Sequence, residues 1–210
     1  VNVDAPRVEN GELVSGPVRL PVGEEVGVPG PEYEYAGKSN AHNNRIVHEI
    51  LKGIALKRNV LLVGPVGVGK SWLAMAVFRL LGQRVEHMGL HAGTTTTDLV
   101  AIRKSESRGG KLSTSYELSR LAVAMMEGRP IIIDEVNRAD MGVVTKLNHL
   151  LQYGELVLSE PIEVEIDGKK QVIERIRAKE GFQIVMTMNP AGGKVTTANE
   201  LTNDFIDRMY

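Results

Sequence analysis

The run Gly64-Pro65-Val66-Gly67-Val68-Gly69-Lys70-Ser71 constrains this chain more than any other feature. It stands between an apolar stretch, Val60–Val63, and a stretch of helical periodicity through Leu73, Ala76, Val77, Leu80 and Leu81. Gly-x-x-x-x-Gly-Lys-Ser in that setting is a phosphate-binding loop. Its glycines let backbone N–H groups turn inward around an anion, and the helix that follows adds the positive end of its dipole. Lys70 is placed to reach the β- and γ-phosphates of a nucleotide, and Ser71 to hold Mg2+.

A chain of 210 residues can bury a real core, and one α/β domain is the natural expectation. The formal net charge of −1 supplies no global field toward nucleic acid or an anionic membrane. The absence of cysteine removes disulfides and thiolate metal sites and fits the cytosol. The five histidines show no ligand spacing, so a structural zinc site is not expected. No apolar stretch is long enough to span a bilayer, and the N-terminus lacks the basic-then-apolar order of a signal peptide. A cytoplasmic chain without membrane insertion is therefore expected. It opens on Val1 rather than an initiator Met, as a fragment would.

Residues 1–38 read as an extended N-terminal arm with short strands, lying on the main domain or on a neighbouring subunit. They hold Pro6, Pro17, Pro21, Pro29 and Pro31, and Val18, Leu20 and Val22 alternate as a strand would. Residues 39–210 read as a nucleotide-binding core. Asn43 or Asn44 is the expected cap of a helix through Ile46, Val47, Ile50, Leu51 and Ile54. Gly82 is the expected stop of the helix after the loop. A short strand near Val85–His87 follows. Leu99–Arg103 and Lys111–Tyr116 predict a hairpin around Gly109-Gly110, and Glu163–Ile166 with Gln171–Ile176 a second one turning at Asp167-Gly168. Each is equally readable as an ordinary surface hairpin. A helix is expected from Glu117, with Gly128 after it, and another around Val143–Leu151 ending near Gly154. Apolar strands alternating with amphipathic helices predict a parallel sheet covered on both faces.

Two further strand ends carry candidate chemistry. Ile131-Ile132-Ile133-Asp134-Glu135 has the form of a Walker B strand, which delivers acids where ligands sit in open α/β sheets. Asp134 would support the Mg2+ shell, and Glu135 would orient or deprotonate a water attacking the γ-phosphate. Asn189 follows the apolar strand Gln183–Met186, expected beside the Gly64 strand or the Asp134 strand. There it would position the attacking water; the competing reading is a turn residue before Pro190.

Taken together, Gly64–Ser71, Asp134-Glu135-Val136-Asn137-Arg138-Ala139, Thr187-Met188-Asn189-Pro190 and Phe205-Ile206-Asp207-Arg208-Met209 resemble the AAA+ ATPase core. The similar branch is the MoxR-like and dynein-related group, with its midasin- and McrB-type modules. The resemblance covers residues 40 to 210. It implies a P-loop NTPase three-layer α/β sandwich around a central parallel sheet, of AAA+ type. It also implies ATP as substrate, with GTP as the other candidate, and Mg2+. The expected assembly is a homo-oligomeric ring, usually a hexamer, with nucleotide at subunit interfaces and hydrolysis driving movement of a bound macromolecule. The resemblance gives Arg208 the role of arginine finger toward the adjacent subunit; the plainer reading pairs it with Asp204 or Asp207. Arg138 is a second interface cation, and Asn137 orders the loop after Glu135. Both hairpins would project toward a ring pore or partner. The sequence stops at Tyr210, before the helical lid that normally follows such a core, so that the lid is either missing or lies outside this sequence, and full hydrolysis is expected to need oligomer and lid.

Trp72 either packs beside the ribose or base or fills the core, and the core is the safer reading. Tyr35 and His42 precede the first helix, where such proteins often receive the base. The leading function is an ATP-hydrolysing module that remodels a macromolecular complex, its protein substrate or adaptor unspecified. The alternative is a GTP- or ATP-dependent nucleic-acid motor subunit of McrB type, with which Lys104, Arg108 and Lys111 are compatible. A binding scaffold that has lost catalysis ranks third.

Overall fold

The protein is described by a computed structural model covering residues 4–24, 27–33, 35, 41–108, 111–166, 168–190 and 201–210. The chain opens with β1 (Arg7–Glu9), β2 (Glu12–Ser15) and β3 (Val18–Pro21), then a 3-10 turn at Pro31–Tyr33 and helix α1 (Ala41–Ala55). Next come β4 (Val60–Val63), α2 (Lys70–Leu80) and β5 (Glu86–Gly89). A hairpin, β6 (Ala101–Arg108) and β7 (Lys111–Leu118), leads to α3 (Arg120–Glu127) and β8 (Pro130–Asp134). A 3-10 turn at Val136–Arg138 precedes α4 (Met141–Tyr153) and a second hairpin, β9 (Glu155–Ile166) with β10 (Lys169–Arg177). The chain closes with β11 (Gln183–Met188) and the short α5 (Asn203–Ile206).

The central sheet has four parallel strands in the order β4-β11-β8-β5. Strand β11 lies between the Gly64 strand and the Asp134 strand, pairing Val185 with both Val60 and Ile132. It is thus beside both of the neighbours that the sequence offered as alternatives. The period-2 alternation of strand side chains separates two cores. Ile131, Ile133, Ile184 and Met186 pack with Leu121 and Met125 of α3 and Leu147 and Leu150 of α4. Ile132, Val185 and Val60 pack the other way, with Ile50 and Leu51 of α1 and Ala74, Val77 and Phe78 of α2. Burial of each large aliphatic side chain contributes about 1.5–3 kcal/mol. The fold is the three-layer α/β sandwich the sequence predicts. Among the described residues no helix is long and apolar enough to cross a membrane.

Several local expectations shift. Helix α1 begins at Ala41, so Asn43 and Asn44 lie inside its first turn rather than capping it. Asn44 is buried and accepts the Tyr35 hydroxyl at 2.5 Å, because a buried phenol needs an acceptor. Helix α3 begins at Arg120, not Glu117. Glu117 and Leu118 stay in β7, paired with Ile102 and Ala101, and Ser119 caps the helix by accepting from the Ala122 N–H. Strand β9 starts at Glu155, directly after α4, well before the predicted Glu163. Both hairpins form antiparallel pairs and β7 packs beside β9. The predicted turn residues Gly109, Gly110 and Asp167 lie outside the described residues.

The described part of the N-terminal segment is an antiparallel meander lying on α1 and α2 of its own chain. Leu13, Val18 and Tyr35 join the apolar cluster of α1 and α2. The Gly23 N–H donates to the Leu81 carbonyl at 2.8 Å, and Arg79 donates to the Pro29 carbonyl at 2.6 Å. Gly82 ends α2 with φ +58°, and a Cβ there would stand 1.9 Å from the Gly23 carbonyl oxygen. Only glycine allows both the turn and the close approach. At the other end of the chain, Tyr210 pairs with the outer edge of β4. Its N–H donates to Asn59 and its carbonyl accepts from Leu61.

Candidate functional site

The loop from Gly64 to Gly69 joins the C-terminal end of β4 to the first turn of α2. Gly67 and Gly69 hold φ +82° and +83°, and a Cβ at either would meet no heavy atom of the described residues within 4 Å. The backbone conformation demands glycine there, and the space beside it is open. Gly69 stands at the N-cap of α2 without a side-chain cap, and no acidic residue lies in the first turn. Those first-turn amides are therefore oriented for an anion. Lys70 Nζ folds back onto the Gly64 and Pro65 carbonyls at 2.7 and 2.8 Å and onto Asn189 Oδ1 at 3.0 Å. Burial lowers the Lys70 ammonium from its usual range against the opposing pull of Asp134 and Glu135.

The acidic strand end meets this loop directly. Asp134 Oδ1 accepts the Ser71 hydroxyl at 2.6 Å and the Thr187 hydroxyl at 2.8 Å. Asp134 Oδ2 lies 2.6 Å from His87 Nε2. Burial pushes the Asp134 carboxyl up, but hydrogen bonds from His87, Ser71 and Thr187 outweigh it and hold the carboxyl below its usual range. Glu135 turns the chain with φ +57°, an uncommon value for a side chain of its kind. Its N–H donates to Thr187 Oγ1 at 3.2 Å. Its carboxylate meets Arg138 at 3.0 Å and, at 3.5 Å, the amide of Asn189. Asn137, fully buried, donates its side-chain amide to the Asn189 carbonyl at 2.7 Å. The loop after Glu135 is thereby tied to the end of β11.

These groups line one cavity of about 480 Å3, with Val66, Gly67, Gly69, Lys70, Ser71, Trp72, Gly89, Asp134, Glu135, Thr187 and Asn189 on its walls. Trp72 contributes to the wall while its indole N–H donates to the Glu32 carbonyl at 3.2 Å, pinning the N-terminal segment. A second cavity of about 560 Å3 lies on the α1 side of the loop, where His42 meets Ile46, Leu62, Val68 and Leu73. Tyr35 lines neither cavity. Arg208 also lies outside both. Its guanidinium is 2.5 Å from the Asp204 carboxylate and 3.2 Å from Gln152 Oε1. Within a single chain it thus makes the ion pair with Asp204 that was its plainer reading. Arg138 pairs with Glu135 of its own chain, and Lys104 with Glu117. His87 and Thr187 carry no role in the sequence reading. Thr187 was within reach of it, standing two positions before Asn189 on the same strand; His87 had no such signal.

The donor set suits a small hard cation. Ser71 Oγ and Asp134 offer adjacent oxygens beside the anion cradle, and Mg2+ takes only one or two protein oxygens alongside phosphates and water. Those two residues would hold it.

A family model described as an AAA domain of the dynein-related subfamily matches residues 59–209. YojN, an uncharacterized protein of Bacillus subtilis, is 27% identical over 167 residues, covering 79% of this chain and 52% of that protein. The type IV methyl-directed restriction enzyme EcoKMcrB subunit of Escherichia coli is 28% identical over 160 residues, covering 69% of this chain and 33% of that protein. The chain spans about half, or less, of these relatives' lengths. Among solved structures, a Cytophaga hutchinsonii protein described as a "putative ATPase" matches with a TM-score of 0.53 and 17% identity, covering 80% of this chain and 44% of that one.

Proposed function

The chain belongs to the dynein-related subfamily of AAA domains, and from that membership we propose that it binds ATP with Mg2+ and hydrolyses it to remodel a macromolecular complex. One observation carries the reading. The amides of the glycine loop, Lys70, Ser71, Asp134, Glu135 and Asn189 converge on one cavity at the ends of three adjacent strands. In this proposal the loop amides and Lys70 bind the β- and γ-phosphates, and Lys70 gives up the Gly64 and Pro65 carbonyls to do so. Ser71 and Asp134 would hold Mg2+, which when bound would supply positive charge against the phosphates. Glu135 accepts the proton of a water whose oxygen bonds to the γ-phosphorus, while the bond to the β–γ bridging oxygen breaks and ADP leaves. Asn189 positions that water, and Trp72 flanks the nucleotide. Arg208 exchanges Asp204 for the γ-phosphate of a neighbour in a ring, most simply a hexamer.

Calorimetry with ATP and GTP, with and without Mg2+, tests the binding step. Glu135→Gln is expected to keep nucleotide affinity and lower phosphate release by about 10²–10⁴-fold. Absence of nucleotide binding by folded wild-type protein would remove the reading. The likeness to EcoKMcrB supports a second one, a nucleic-acid motor using GTP or ATP. It requires DNA binding that falls steeply with salt and weakens in Lys104→Gln/Lys111→Gln.

A further inference from the structure

His87 stands on β5, beside the strand that ends in Asp134. The register sets His87 opposite Ile132 and Gly89 opposite Asp134. The position facing the acid therefore has no side chain, and even a Cβ at Gly89 would meet no heavy atom of the described residues within 4 Å. His87 lies two residues back on the same face of the strand. Its imidazole Nε2 lies 2.6 Å from Asp134 Oδ2. The other oxygen is held by Ser71 at 2.6 Å and Thr187 at 2.8 Å. Three donors from α2, β11 and β5 thus fix the carboxylate plane. Without His87, the side-chain hydrogen bonds that remain both act on Oδ1.

We propose that His87 is a positioning residue for Mg2+: it donates from Nε2 to Asp134 Oδ2 and thereby keeps Oδ1 facing the Ser71 hydroxyl, the other group that holds the ion. The inference rests on the reading of Ser71 and Asp134 as the Mg2+ pair. Partners that orient a ligating side chain typically change metal affinity by about 10–100-fold when removed.

The test is Mg2+ titration of the binding of a fluorescent, slowly hydrolysed ATP analogue to wild type, His87→Ala and His87→Gln. In His87→Ala the half-saturating Mg2+ concentration is expected to rise about tenfold or more, with affinity in EDTA unchanged. His87→Gln, which keeps an N–H donor of similar reach, should recover most of the loss. A shift under about twofold in His87→Ala, an equal loss in EDTA, or no rescue by Gln would overturn the assignment. A wild-type protein whose nucleotide affinity ignores Mg2+ would overturn the Mg2+ pair itself, a distinguishable failure. A second readout needs no variant. Nitrogen-15 NMR of the wild-type imidazole at pH 8 should show the Nε2–H tautomer, and an Nδ1–H tautomer would overturn the donation.

Discussion

Asp134 meets side chains from three different elements, and its chemistry follows from them. Three donors reach its two oxygens, and together they stabilise the charged form against the effect of burial. Its carboxyl is therefore held below the ordinary value of 3.8. A group depressed in this way contributes stability that is fully present above the unfolded value and is lost as pH falls through the lower folded one. Asp134→Asn is expected to flatten the fall in stability below about pH 4, measured by urea unfolding at a series of pH values. An unchanged acid limb would mean that the carboxylate gains nothing from its donors. Glu135, one residue on, has a different setting. It bends the chain in the left-handed region, and Arg138 and Asn189 approach its carboxylate from two sides.

Among the secondary elements, α3 shows how a strand can override a helical pattern. Leu118, Leu121, Ala122 and Met125 are in helical phase, yet Leu118 remains in β7 because its partner Ala101 completes the hairpin. Ser119 makes the change of direction workable. Its hydroxyl accepts from the Ala122 N–H at 3.0 Å and donates to the Leu99 carbonyl at 2.7 Å, all of it buried. Ser119→Ala removes both bonds and is expected to cost about 1–2 kcal/mol in urea unfolding. A change under about 0.5 kcal/mol would show that the helix start needs no side-chain cap. The same reasoning explains β9, whose long pairing with β10 extends the hairpin back to the end of α4.

For the whole molecule, the N-terminal meander packs on α1 and on α2, the helix that the glycine loop opens. Leu13 of the meander is almost fully buried in the cluster that contains Phe78 and Val77 of α2. Leu13→Ala is expected to cost about 2–5 kcal/mol and to lower one cooperative unfolding transition. Two separate transitions would mark the meander as an independent unit. Arg208 tests a larger scale still. Its guanidinium is satisfied within the chain by Asp204 and Gln152, so a transferable role needs a second copy. Arg208→Ala should leave nucleotide affinity of the dilute chain unchanged. It should reduce phosphate release by the assembled protein about 10³-fold or more, read in steady-state assays across protein concentration. Equal rates for variant and wild type at every concentration would confine Arg208 to its ion pair with Asp204.

The sequence by itself determined whatever is written in a contiguous stretch. The glycine loop, the Asp134-Glu135 strand end, and the alternation of apolar strands with amphipathic helices each express a local rule of backbone or period. They gave the α/β class and most of the residues on the cavity wall. Tertiary structure decided what depends on strands distant in the chain becoming neighbours. Insertion of β11 between β4 and β8 brings Thr187 and Asn189 to Asp134 and Glu135. The pairing of β5 with β8 places His87 beside Asp134, a relation no spacing encodes. Helix starts moved for the same physical reason: local propensity differs by a few tenths of a kcal/mol per residue, and long-range pairing and burial outweigh it.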